Sequence, residues 1–277
     1  ICLSLALVWT GAPAAANRTR PDAETPAFSA GAVMEHVKVL ASDKFEGRAP
    51  GTKGEDLTVA YIADQFRKAG LKPGHTDGTY FQNVPMVGIT ADPSTSLVFK
   101  KGGATQTLAF REDVVAWTKR VQETVLLDAS DVIFVGYGIQ APEFQWDDYK
   151  GVDLAGKTMI VLVNDPPIPD PADPARLDPK VFGGRAMTYY GRWTYKYEIG
   201  AEKRAAAVLI VHETEPAAYP FAVVQSKVTE QFDLATPDGN LGRAAIEGWI
   251  TLEKAKKLCL LAGQDFDALK KRAATRD

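Results

Sequence analysis

Two short apolar runs constrain this chain more than any other feature of it. The first is Lys157-Thr-Met-Ile-Val-Leu-Val-Asn164 and the second is Ala206-Ala-Val-Leu-Ile-Val-His212. Runs of this length, rich in β-branched residues and bounded by Gly and Pro, suit strands buried on both faces. Between them lie a proline-rich loop (Pro166, Pro167, Pro169, Pro171, Pro174, Pro179), an aromatic and basic segment over 184–198, and a short amphipathic stretch over 199–204. Strand, excursion, helix, strand is a crossover unit, which buries apolar surface on both sides of a sheet. The expected fold class is therefore α/β (α+β).

Composition limits the function. With 277 residues, 45% of them hydrophobic, the chain can bury a core as one large domain or two. A formal net charge of −3 supplies no field for a polyanion, so nucleic acid is not expected as a partner. Two cysteines, Cys2 and Cys259, exclude a disulfide framework and a cysteine-rich zinc module.

The first 16 residues join an apolar run, Leu3-Ser-Leu-Ala-Leu-Val-Trp9, to Ala12-Pro-Ala-Ala-Ala16, the pattern of a signal peptide without its basic start. Export, secreted or periplasmic, is expected. The run falls short of the ~20 apolar residues that span a bilayer, so no membrane span is expected. Residues 17–27 read as a loose lead-in. Residues 31–41 put Val33, Val37, Leu40 and Ala41 on one helical face. Thr52 and Glu55 have capping-box spacing before a helix carrying Val59, Ile62, Ala63, Phe66 and Ala69, stopped by Gly70 and Pro73. In the loop before it, Glu46 and Arg48 suit a tethering ion pair. His36 reads as a solvated or packed helix residue.

Residues 81–89 read as a strand, with a domain change near residue 90. Leu97-Val-Phe-Lys100 and Thr107-Leu-Ala-Phe110 flank Lys101-Gly-Gly103 as a hairpin. After a strand at 132–135, Gly136-Tyr-Gly-Ile-Gln-Ala141 spells G-x-G-x-x-A. A dinucleotide site needs a helix start behind the glycines, whereas Pro142 interrupts and Glu143, Asp147 and Asp148 would repel phosphate. Residues 245–250 read as a strand. Thr251 caps a helix bearing Ala255, Leu258, Cys259 and Ala262, and a last helix starts near Asp265. Cys259 on that apolar stripe reads as a buried, inert thiol.

Candidate site residues gather in one segment. Arg185, Tyr190, Arg192, Trp193 and Tyr195, with Tyr189 and Tyr197, place guanidinium and aromatic groups together. Arginine binds carboxylates through a planar fork and stacks on rings, so the cluster suits the mouth of a peptide-binding cleft. The same residues also suit packing of the crossover helix on its sheet with the arginines solvated, and as a set they favour packing. His75-Thr-Asp77 has zinc-ligand spacing, but it sits in a glycine-bounded turn that needs no metal. His212 reads as a capped strand-end histidine. No G-x-S-x-G elbow occurs. No catalytic and no metal-ligating residue is assigned.

Residues 153–163, 190–198 and 205–212 together resemble the protease-associated domain of co-catalytic zinc aminopeptidases, a superfamily that also holds glutamate carboxypeptidase and the transferrin receptor. The segments 136–149, 218–226 and 230–233 follow the same pattern. Phe45-Glu-Gly-Arg48 and Ala69-Gly-Leu-Lys-Pro73 resemble the opening of those enzymes' catalytic domain. The resemblance covers nearly everything after about Phe28. It implies the start of a zinc-aminopeptidase α/β domain over 28–90 and a nearly complete inserted protease-associated domain, β-rich α/β, over 91–277.

It also implies a peptide substrate and two zinc ions. These would be held by a strand-borne His-x-Asp, a bridging Asp, an adjacent Glu-Glu, a further acid and a final His. None of the three histidines here has that setting and no Glu-Glu pair occurs. The resemblance thus implies an N-terminal part whose zinc ligands lie downstream, in a catalytic domain of the same protein, and a chain inactive by itself. The alternative is a non-catalytic, receptor-like protease-associated binding module.

Overall fold

The computed structural model describes residues 28–226 and 229–275. The expected signal peptide and lead-in, 1–16 and 17–27, lie outside these. The chain divides between Asn83 and Val84 into two compact units, and it is a mixed α/β protein.

In the first unit, helix α1 (Ala30–Leu40) is capped by Ser29, whose hydroxyl accepts the Ala32 amide at 3.2 Å. A 3-10 turn (Asp43–Arg48) leads to helix α2 (Lys53–Lys68). The expected capping box forms differently. The Thr52 hydroxyl donates to the Ala49 carbonyl at 2.6 Å, and the Glu55 carboxylate accepts the Gly51 amide at 2.5 Å, so the acid reaches one residue further back. The loop tether differs too. Arg48 donates to the Leu40 carbonyl at the end of α1, where the helix leaves acceptors without intrahelical partners, rather than to Glu46. On α2 Ala63 is buried, while Val59, Ile62 and Phe66 stay more than a third exposed.

The second unit opens with β1 (Met86–Ile89). This strand begins later than the expected 81–89 because Pro85 brings no amide to a ladder. It pairs antiparallel with β10 (Gln231–Leu234), which ties it to the second unit. Strands β2 (Leu97–Lys101) and β3 (Ala104–Leu108) form the expected hairpin around Gly102-Gly103.

The main sheet has five strands in the order β4 (Val114–Trp117), β11 (Ile246–Thr251), β9 (Ala207–His212), β8 (Thr158–Leu162), β5 (Val132–Phe134). All neighbours are parallel except β4 with β11. The short strands β6 (Gln140–Ala141) and β7 (Trp146–Asp147) form a small bridge apart from it. Every residue of β8 and β9 is buried, as a parallel sheet requires.

Helix α3 (Trp193–Glu202) joins β8 to β9. It begins well before the expected 199–204, so the last six residues of the aromatic segment, 193–198, are helical. Two short helices, α4 (Thr214–Ala217) and α5 (Phe221–Gln225), follow β9. After β11, Thr251 caps α6 (Leu252–Leu261), and Asp265 accepts the Ala268 amide at 2.7 Å to cap α7 (Phe266–Ala273). Cys259 lies half-buried against the core, with burial holding its thiol pKa up.

Helix α3 lies tightly on β9. A Cβ at Gly200 would stand 2.3 Å from Val208 Cγ2. Gly200→Ala is expected to lower stability by about 1–3 kcal/mol through overpacking, read as a lower urea midpoint at unchanged m-value.

Candidate functional site

The sheet's parallel strands end in turns that meet around one side chain, Lys196 of α3. Beyond Phe134 the β5 backbone stays paired with β8, the Gly136 carbonyl accepting the Leu162 amide at 2.8 Å. The chain then turns through Gly136 and Gly138. On the neighbouring strand the chain leaves β8 through Asn164, which holds a left-handed φ of 73°. Asparagine tolerates that region because its short amide bonds locally. Here Asn164 Oδ1 accepts the Asp165 amide at 2.7 Å and Nδ2 donates to the Pro216 carbonyl at 3.1 Å.

Lys196 is fully buried. Its Nζ donates to the Tyr137 carbonyl at 2.6 Å and to the Asn164 carbonyl at 3.3 Å, bridging the two turns. Burial lowers its pKa to about 7, against the opposing pull of the Asp165 and Asp148 carboxylates. Asp148 accepts from the Ile139 amide and from Trp146 Nε1, both at 2.9 Å, and burial pushes it up to about 6. Asp165 accepts the Thr188 amide at 2.6 Å and the Thr188 hydroxyl at 2.8 Å; burial raises it as well. At Gly191 a Cβ would come within 2.9 Å of the Asp165 backbone nitrogen and carboxylate, so only glycine closes this turn. Sequence reading missed the cluster. Lys196 lies inside Tyr195-Lys-Tyr197, and residue type does not distinguish a buried lysine from a solvated one.

The expected site residues separate into two groups. Tyr190 and Tyr195 come together, ring centroids 5.0 Å apart, with Tyr190 also against Phe182 and Phe144. The Tyr190 hydroxyl donates to Glu143 at 2.6 Å, and the Tyr195 oxygen accepts the Gln140 amide at 3.1 Å. Trp193 packs edge-on against Tyr197. Arg185 and Arg192 are exposed. Tyr190, Trp193, Tyr195 and Tyr197 are thus engaged in packing, while Arg185, Arg192 and the exposed Tyr189, whose hydroxyl donates to Glu198, carry the segment's surface chemistry.

Two further polar groups are buried, Glu247, for which the sequence raised no expectation, and His212, expected as a capped strand-end histidine. Glu247 on β11 is wholly buried and gripped by Arg243 through Nε at 3.1 Å and Nη2 at 2.9 Å; burial raises its pKa and the guanidinium opposes that. His212 sits among Tyr219, Phe221 and Trp249, with ring centroids 5.4–5.8 Å away, and its Nε2 is buried with no hydrogen-bond partner. Burial holds its pKa below the usual imidazole value, so it is neutral at physiological pH.

The described residues do not fit a zinc pair. Among the described residues no three His, Cys, Asp or Glu side chains stand together as a metal would need. His75 and Asp77 do lie close, Nδ1 to Oδ1 at 2.9 Å, but they bond each other in an exposed turn. His75 borders an open groove of about 450 Å³ lined also by Phe66, Leu71, Lys72, Tyr80 and Phe81 in the first unit. No helix among the described residues is long and apolar enough to cross a membrane. Comparison of the chain with protein-family models, with curated proteins and with solved structures finds no match.

The two groups of the aromatic–basic segment respond differently to truncation. Tyr195→Phe leaves the Gln140 amide without its acceptor and is expected to cost about 1–3 kcal/mol in urea unfolding. Arg192→Ala is expected to stay within about 0.5 kcal/mol of the parent.

Proposed function

We propose that this chain is the scaffold part of an exported zinc aminopeptidase, which removes N-terminal residues from peptides. In this reading the expected division near residue 90 falls at the boundary between the two units, so that the unit from Val84 onward forms its protease-associated domain and the residues from 28 to Asn83 open its catalytic domain. One observation carries the reading. The three segments that bear the sequence resemblance, 153–163, 190–198 and 205–212, fold into a single crossover, β8–α3–β9, at the centre of the main sheet. Three matching segments that build one supersecondary unit, strand, helix and strand in turn, support a common origin better than each does alone.

The zinc ions and their carboxylate base belong, on this reading, to residues outside the 277. The chain's own part is positional. Its packed tyrosines hold the crossover rigid, and Arg185 and Arg192 offer forked donors to the carboxylates of a peptide at the cleft mouth. In the intact enzyme, replacing both arginines by alanine is expected to raise KM several-fold for acidic peptides with kcat little changed, since such contacts bind substrate and transition state alike.

The deciding experiment takes the protein as its source organism exports it and measures intact mass and zinc on one sample. A mass well above the chain's 30.0 kDa, with about two zinc ions and release of N-terminal residues from peptides, is expected. A mass just below that of the chain, without zinc, would overturn the reading in favour of a non-catalytic binding module.

A further inference from the structure

Asn164 and Asp165 at the start of the long β8–α3 connection are fastened to its end. The Asn164 amide donates to the Gly191 carbonyl at 3.0 Å, and Asp165 takes both the amide and the hydroxyl of Thr188. Residues 166–187 therefore form a loop with a closed neck, much of it exposed between 167 and 176. Within it Pro169 pairs with Leu177, and Phe182 is a second fastening, wholly buried against Phe144 and Trp146. Lys196 lies directly under the neck, one of its two acceptors being the Asn164 carbonyl.

We propose that this loop is a flap whose neck is a proton-controlled clasp, in which the buried Lys196 ammonium and Asp165 carboxylate work against closure whenever both are charged. The proposal is independent of any zinc chemistry. Opening the neck gives Asp165 to water and removes the Asn164 carbonyl that covers Lys196. Each group then returns toward its ordinary pKa. The closed state binds the Lys196 proton more weakly than the open one, so closure strengthens as pH rises from about 7 toward 10.5. Asp165, raised by burial, acts oppositely: its proton is bound more tightly in the closed state, which gains as pH falls through that raised value. The clasp is thus weakest in the interval between the two groups. The other ionisable groups facing the cluster are Asp148, Tyr137, whose phenol burial and Glu213 hold protonated, and Tyr195, whose ring lies 5.8 Å from Nζ.

Hydrogen exchange by mass spectrometry on the full chain from pH 7 to 9.5, corrected for intrinsic rates, tests this. The opening constant of peptides within 166–187 is expected to fall by as much as tenfold per pH unit, while α6 shows no such slope. In Lys196→Met the slope should vanish. Should that variant fail to fold, the Lys196 side-chain resonance in the parent protein decides, and titration near pH 7 is expected. A flat profile over 166–187, a slope shared equally by α6, a slope that survives in Lys196→Met, or a Lys196 titration near 10.5 would each overturn the proposal.

Discussion

The burial of β9 on both faces is the constraint from which the rest of the second unit follows. All six of its residues are buried, and it pairs in parallel with β8 on one side and β11 on the other. A central parallel strand can be reached only by crossovers, so its neighbours must be joined through helices rather than tight turns. Helices α3 and α6 both pack on it, and the approach is close enough at Gly200 that no side chain fits there. Because parallel strands all end on the same edge, the turns after β5, β8 and β9 are brought near one another. That is how Tyr137, Asn164 and Asp165 come to surround Lys196.

Gathering those turns buries charge as well as apolar surface. An ammonium or carboxylate taken from water loses solvation that a single ion pair seldom restores. Two solutions occur side by side. Glu247 is met by the guanidinium of Arg243, whose Nε and Nη2 both donate to its Oε1. Lys196 has instead two backbone carbonyls, which take two of its three donors, with carboxylates further off, while burial depresses its pKa. In the first arrangement the guanidinium opposes the rise that burial causes in the carboxyl pKa, and the pair serves the architecture. The second sits close to its titration point, which makes the neck above it responsive to pH.

Much of the framework could be read from the chain. The β8 and β9 runs, the turn at Lys101-Gly-Gly103 and the Thr251 cap rest on strong local signals, and each forms where expected, although the second hairpin strand forms at Ala104–Leu108 rather than 107–110. The differences have local causes. Pro85 delays β1. Glu55 reaches Gly51 instead of Thr52, and Arg48 finds a free helix-end carbonyl before it finds an acid. Strand β4 carried no signal that distinguished Val114–Trp117 from other short apolar stretches; its partner β11 makes it a strand. Helix α3 starts early, at Trp193, and is buried on more than one side, with Tyr195, Lys196, Tyr197, Ile199 and Gly200 all enclosed. The cluster at Lys196 was not legible at all. Its members come from three separate segments, and nothing in the residue order says that Asp148, Asp165 and Lys196 meet.

The account turns on β9 as the centre of the fold, and amide exchange on the full chain tests that most directly. Amides within Ala207–His212 and their partners in β8 and β11 are expected to be the slowest in the chain, opening only with global unfolding of the second unit. Exchange there as fast as in the exposed β2–β3 hairpin would contradict the parallel sheet, and with it the placement of Lys196 beneath the loop neck.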